Sequence, residues 1–261
     1  MFTKSNWQRE QLLVAFYLYC RMPFGKINRG NAEVIRYAAL LGRTPSALAM
    51  KLANIASLDP AITDTGRKGL SGASLADRAM WEEMQKDWEK FTSTTQDAVV
   101  KIEAQSFSES VIKDIPINER DAENYEGVEN LNSTKTRVKQ AAFRAMVLSA
   151  YDNQCCISGL SVPQLLIASH IVPWRIDAKN RLNPKNGLCL SMLHDKAFDL
   201  GLISIADDLT VLISPTLKQF DDTFLISSIF KFEGQRLRAP GKFLPDPEFL
   251  AFHRNNIFLR T

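Results

Sequence analysis

The chain has 261 residues, 45% of them hydrophobic and 23% charged, with a formal net charge of +3. Those fractions exclude a disordered chain, a collagen-like fibre and a disulfide-rich miniature. At roughly 100–200 residues per domain, one or two domains are expected, and no run of about 20 apolar residues offers a membrane span.

Trp7 to Cys20 predicts an amphipathic helix, with Leu12, Leu13, Phe16 and Tyr19 near one face. Tyr17, Tyr19 and Arg21, with no small-residue cleavage site, argue against a signal peptide. Glu33 to Leu41 predicts a second helix and Gly42-Arg43 a turn. Thr44-Pro45 then reads as a cap and first-turn proline for a third helix carrying Leu48, Leu52 and Ile55. Ser74 and Asp77 form a capping-box pattern before a fourth helix with the stripe Trp81, Met84, Trp88 and Phe91.

From Thr92 to Asn132 the chain is polar, with isolated apolar pairs and room for one short helix, and residues 96–133 read as an acidic linker. Charge follows this division. Residues 97–132 hold nine acidic and three basic residues, whereas residues 133–151 hold Lys135, Arg137, Lys139 and Arg144 and no acid. Thr134 to Tyr151 predicts a basic amphipathic helix with Val138, Ala142, Phe143, Met146 and Val147 inward. Leu165–Ile171 and Gly187–Leu190 predict strands, Ser191–Leu200 a helix, and Leu202–Ile205 with Thr210–Ile213 a hairpin. Pro215 to Thr261 reads as mostly irregular. The expected architecture is α+β: a helical domain over residues 1–95, a linker, and a second domain over 134–261.

The four cysteines, Cys20, Cys155, Cys156 and Cys189, are too few and too badly spaced for a disulfide framework, so a reducing, cytoplasmic setting is expected. No CxxC pair is present, which argues against a structural zinc. Only three histidines occur. A strand carrying His170, a loop carrying Asn186, and a helix carrying His194, Asp195 and Asp199 can converge on one point. Asp195 and Asp199 share a helix face at i, i+4. A histidine facing a carboxylate pair suits proton abstraction from water beside a bound divalent cation.

The segments RVKQAAFRAMVLSAYDNQC, CCISGL, IASHIVPW and NGLCLSMLHDKAFDLGLISI resemble the HNH nuclease family, and more narrowly a branch found among bacterial restriction endonucleases. The resemblance covers roughly residues 134–213. It implies a ββα-metal domain cutting DNA, in restriction or phage defence, with His170 as general base and Asn186 holding the loop that orients it. It also implies one divalent metal, Mg²⁺ or Mn²⁺ for a carboxylate-rich site. Asp195 and Asp199 are the favoured ligands and His194 the alternative. Where many relatives carry an aspartate or histidine before the base, this chain has Ser169.

The basic helix supplies Arg137, Lys139 and Arg144 as candidate DNA-phosphate contacts, with Arg175 and Lys196 nearer the motif. In the first half, VIRYAALLGRTPSALAMKLANI resembles a helix-turn-helix that would present Arg43 and Lys51 to DNA; a protein-binding or regulatory-partner role is the alternative. Trp174 and His253 read as packing residues. Three rival functions stand beside the DNA nuclease: a non-catalytic DNA-binding regulator, an RNA-cleaving nuclease or toxin, and a nuclease whose first half binds a protein. A homodimer is compatible with one site cutting one strand.

Overall fold

The computed structural model describes residues 6–64, 72–110 and 131–260, with side chains described outside 105–110 and 131–138. The first half is helical: α1 (Arg9–Arg21), α2 (Ala32–Leu40), α3 (Pro45–Ala56), α4 (Pro60–Thr63), α5 (Leu75–Lys86) and α6 (Trp88–Ser110). The second half holds α7 (Leu131–Ala150), β1 (Leu166–His170), β2 (Gly187–Ser191), α8 (Met192–Asp199), β3 (Ile203–Ile205), β4 (Val211–Ile213), α9 (Thr223–Ser228) and α10 (Pro247–Asn256). Each sheet is a two-stranded antiparallel pair, β1 with β2 and β3 with β4. Among the described residues, no helix is long and apolar enough to cross a membrane.

The caps work as their residue types dictate. Thr44 accepts the Ala47 N–H at 3.1 Å to start α3. Ser74 and Asp77 close both halves of a capping box on α5. Gly42 sits at φ 63°, a left-handed turn between α2 and α3 that a side chain would strain.

Two expectations are corrected. The stripe Trp81, Met84, Trp88 and Phe91 is buried, but it lies on two helices. The backbone breaks at Asp87, whose carboxylate accepts the Lys90 N–H at 2.9 Å and restarts the chain as α6. Residues 96–110 do not begin a linker; they continue α6. Phe91, Thr95, Ala98, Val99 and Ile102 recur at helical spacing and are buried. The expected linker from 111 to 130 lies outside the described residues. The tail is mostly irregular, as expected, but it holds α9 and α10, and the second is capped: Asp246 accepts the Glu248 N–H at 3.0 Å and Pro247 opens α10.

The two halves share a core. Phe243, on the segment before α10, sits among Tyr19, Trp81 and Trp88 of the first half, with ring centroids 5.7–6.4 Å apart. Beside it Lys242 is fully buried. Its ammonium donates to the carbonyls of Tyr19, Cys20 and Met22 at 2.6, 3.0 and 2.9 Å, and to Ser149 Oγ at 3.1 Å. These carbonyls belong to the last turn and exit of α1, which no helical N–H can satisfy. Asp59 completes the junction: it accepts from Tyr19 Oη at 2.9 Å and from the Phe243 N–H at 3.1 Å.

Burial pushes the Cys20 and Cys189 thiols up to about 12, while it pulls Lys242 down to about 8. Above the ordinary thiol range the unfolded chain loses protons that the two folded thiols keep, so stability falls as pH rises. Lys242 acts oppositely between about 8 and 10.5, where the unfolded chain holds the extra proton. Urea unfolding midpoints should therefore drop above pH ~9 and fall most steeply above pH ~10.5, where Lys242 no longer offsets the thiols and the buried phenols of Tyr19 and Tyr151, also raised by burial, add to the loss. Equal midpoints at pH ~8 and ~11 would contradict this.

Candidate active site

β1 and β2 pair with His170 opposite Gly187, and α8 leaves β2 at once. Ser191 makes that corner, its Oγ accepting the His194 N–H at 3.3 Å. This places His170, at the end of β1, beside Asp195 in the first turn of α8.

His170 is held on three sides. Its Nε2 lies 2.9 Å from the Arg181 carbonyl. A carbonyl only accepts, so Nε2 carries the proton and Nδ1 keeps its lone pair. Phe143 of α7 stacks on the ring at 3.9 Å and 10°, and Trp174 meets its edge at 5.4 Å and 87°. Burial pulls the His170 pKa below the usual histidine range, against the Arg181 hydrogen bond and the Asp195 charge, which raise it.

Asn186 is fully buried and does not touch the imidazole. Its Oδ1 accepts the Val172 N–H at 2.8 Å and its Nδ2 donates to Val172 O at 3.2 Å and Asn180 O at 3.4 Å. It thereby fixes the 172–186 loop, and the loop delivers the Arg181 carbonyl to His170. Arg181 is anchored in turn, donating Nε to Trp174 O at 2.8 Å.

Asp195 is half-buried and Asp199 exposed, one turn apart on α8. Burial raises both carboxyl pKa values, and the Asp199 charge raises Asp195 further. Ser169 Oγ is buried without a hydrogen-bond partner. It lies near the Asp195 carboxylate, outside bonding geometry but close enough to hold that pKa down. An orphaned hydroxyl next to Asp195, with the Asp199 carboxylate one turn further along α8, is a place where a cation and its waters fit. Among the described residues no three His, Cys, Asp or Glu side chains close on one point. The donor set therefore suits a hard divalent ion that keeps waters and takes phosphate oxygens, rather than a closed protein cage.

Several candidates are corrected. His194 is buried and both ring nitrogens are engaged, Nδ1 with Ser191 Oγ at 2.9 Å and Nε2 with Ser228 O at 2.9 Å. It ties α8 to α9 and has no lone pair for a metal. Lys51 is buried, its Nζ 2.9 Å from both Asp77 oxygens. That pair joins α3 to the capped start of α5 and cannot face DNA. Arg43 turns onto the N-terminal segment, donating to Asn6 O at 3.0 Å and Gln11 Oε1 at 2.8 Å. Arg144 donates to Leu166 O at 2.7 Å and Pro163 O at 2.9 Å, holding the entry to β1. Lys139 pairs with Glu89 at 2.6 Å, each side chain about one-third exposed. Arg175 and Lys196 are exposed. The side chain of Arg137 lies outside the described residues.

His253 is buried; its Nε2 donates to Phe198 O at 3.0 Å and its ring stacks on Phe198 at 3.6 Å, fastening α10 to the end of α8. Two parts of the site escape a reading of the sequence. Phe143 registers there only as an inward apolar residue, and a carbonyl such as that of Arg181 carries no sequence signal.

Gly187 permits this assembly. Its φ is ordinary at −136°, but an added Cβ would collide with Val147 Cγ2 and lie 3.0 Å from Phe143 Cζ. Gly187→Ala should cost about 1–3 kcal/mol by overpacking, and the Val147→Ala double variant should recover part of it. Chemical denaturation reads both; a neutral Gly187→Ala would refute the close approach.

A family model described as HNH endonuclease matches residues 155–206. The match contains β1, β2, α8 and β3, and so His170, Asn186, Asp195 and Asp199, while α7 with Phe143 lies before it. The C-terminal half thus carries an HNH endonuclease segment. No curated protein matches the chain.

Proposed function

We propose that this chain is a metal-dependent DNA endonuclease that uses β1, β2 and α8 as a ββα-metal nuclease unit. The observation that carries the reading is the state of His170. Its Nε2–H is tied to the Arg181 carbonyl, its ring is pinned by Phe143, and Nδ1 is left with its lone pair. A neutral imidazole with one occupied and one available nitrogen is a general base for water.

Asp195 would hold a divalent ion, Mg²⁺ or Mn²⁺, with Asp199 as the second carboxylate. When bound, such an ion neutralises charge on the scissile phosphate and on the departing 3′ oxygen. His170 Nδ1 takes the proton as the water oxygen forms its bond to phosphorus. The P–O3′ bond breaks and the departing 3′ oxygen takes a proton from solvent water, leaving a 5′ phosphate and a 3′ hydroxyl. The Arg181 carbonyl stabilises the imidazolium that results, and Asn186 keeps that carbonyl in place by fixing its loop. Restriction or phage defence is the biological setting that the motif resemblance supports.

Incubation of supercoiled plasmid with the purified chain and Mg²⁺, Mn²⁺ or EDTA tests this reading. Nicking that needs the metal and disappears in Asp195→Asn is the expected result. DNA binding without cleavage in any metal would transfer the assignment to a DNA-binding regulator, for which Ser169 is the supporting feature. Faster cleavage of RNA than of DNA would transfer it to a ribonuclease.

A further inference from the structure

Of the helix-turn-helix cations of the first half, Lys51 is buried on Asp77 and Arg43 is tied to Asn6 and Gln11. An open cleft of about 570 Å³ lies where the halves meet, and its lining includes Asp87, Glu89 and Lys90 of the α5–α6 junction, Lys139 of α7, and Lys179 of the 172–186 loop. Both of its second-half walls lead to the base. Lys139 is four residues before Phe143 on α7, about 6 Å along the axis and on the same face, and Phe143 stacks on His170. Lys179 is two residues before Arg181, whose carbonyl holds His170.

The charges are graded in availability. Among the described residues Lys90 and Lys179 form no salt bridge, and Lys179 is exposed. Asp87 is engaged at the positive end of α6, where it accepts the Lys90 N–H. Glu89 neutralises Lys139 at 2.6 Å, in a pair open enough to water to be worth at most about 1 kcal/mol. Phosphate oxygens can replace a carboxylate held that weakly.

We propose that this cleft receives the DNA backbone beside the scissile phosphate, on Lys90, Lys139 and Lys179, with Glu89 occupying Lys139 in the absence of DNA. The helical half then acts as one wall of the substrate channel through α6, and its α2–α3 hairpin takes no phosphate. The inference rests on the nuclease reading above.

Binding of the full-length chain to a labelled DNA duplex in EDTA, across about 50–200 mM salt, tests it. Lys90→Gln with Lys179→Gln should weaken binding about tenfold and reduce the slope of log affinity against log salt by about 2. Glu89→Gln should tighten binding about two- to fivefold by releasing Lys139. All are surface changes, and unchanged thermal midpoints confirm folding. A wild type that binds and cuts DNA, with variants of unaltered affinity and slope, overturns this inference alone. A wild type that neither binds nor cuts DNA overturns the nuclease reading and this inference with it.

Discussion

Plasmid cleavage by the His170→Ala variant is expected to fall about 10²–10⁴-fold, the range a positioned general base supplies. The imidazole is half-buried and sandwiched by aromatic rings, so its loss also removes packing. Two controls separate chemistry from folding. Duplex affinity in EDTA should stay within about threefold of wild type, because the base contacts water rather than backbone phosphates. Added imidazole should restore part of the cleavage rate, which an unfolded variant would not allow. Cleavage retained at the wild-type rate would mean that the base lies elsewhere. Asn186→Ala should lose activity through a different route: its three hydrogen bonds to the loop would go, and the Arg181 carbonyl would leave His170.

Lys242→Met is expected to be the most destabilising single substitution outside the site, at about 3–5 kcal/mol. Methionine fills a similar volume but donates nothing. The carbonyls of Tyr19, Cys20 and Met22 would be left buried without their charged donor, and Asp59 would lose its nearby positive charge. Against a total stability of roughly 5–15 kcal/mol, that is a large fraction. Urea unfolding measures it directly; a loss under about 1 kcal/mol would show that the ammonium's desolvation cancels its hydrogen bonds.

Much of the site is legible in the sequence because its parts are local. The start of β2 after Asn186, the i, i+4 carboxylates of α8 and the order of the two strands each show in a few consecutive residues. The capping box at Ser74 and Asp77 and the turn at Gly42 are equally readable, since cap chemistry depends on neighbours in sequence. The cations are not. Lys51 faces inward because Asp77, 26 positions on, waits for it, and Arg144 does so because β1 begins where its guanidinium can reach two carbonyls. Neither partner lies in the local pattern. His194 misleads for a similar reason: a histidine next to the carboxylates of α8 resembles a ligand until the Ser228 carbonyl from α9 is seen on its Nε2. The continuation of α6 is obscured by composition. Threonine and glutamine break the apolar stripe by eye, yet Thr95 is buried, its hydroxyl turned back to Phe91 O at 2.8 Å. The start of α10, in contrast, is written in the sequence as Asp246-Pro247, a cap and first-turn proline hidden among the other prolines of the tail.

The closure of α1 by Lys242 has a consequence in time. The two contacts are 223 positions apart. At roughly 5–20 residues per second, the ribosome makes α1 on the order of 10–45 s before its closing lysine exists. Until then the end of the first helix stays hydrated and Tyr19 and Trp81 lack Phe243 above them. By the time Lys242 appears, His170, Asn186 and Asp195 have already been synthesised. The helical half therefore cannot finish early and wait as a folded unit; it settles only when the second half is there to settle with it. A polypeptide released prematurely, with His170, Asn186 and Asp195 already made, would lack the clasp that joins the two halves and would meet the cell's proteases as an open chain.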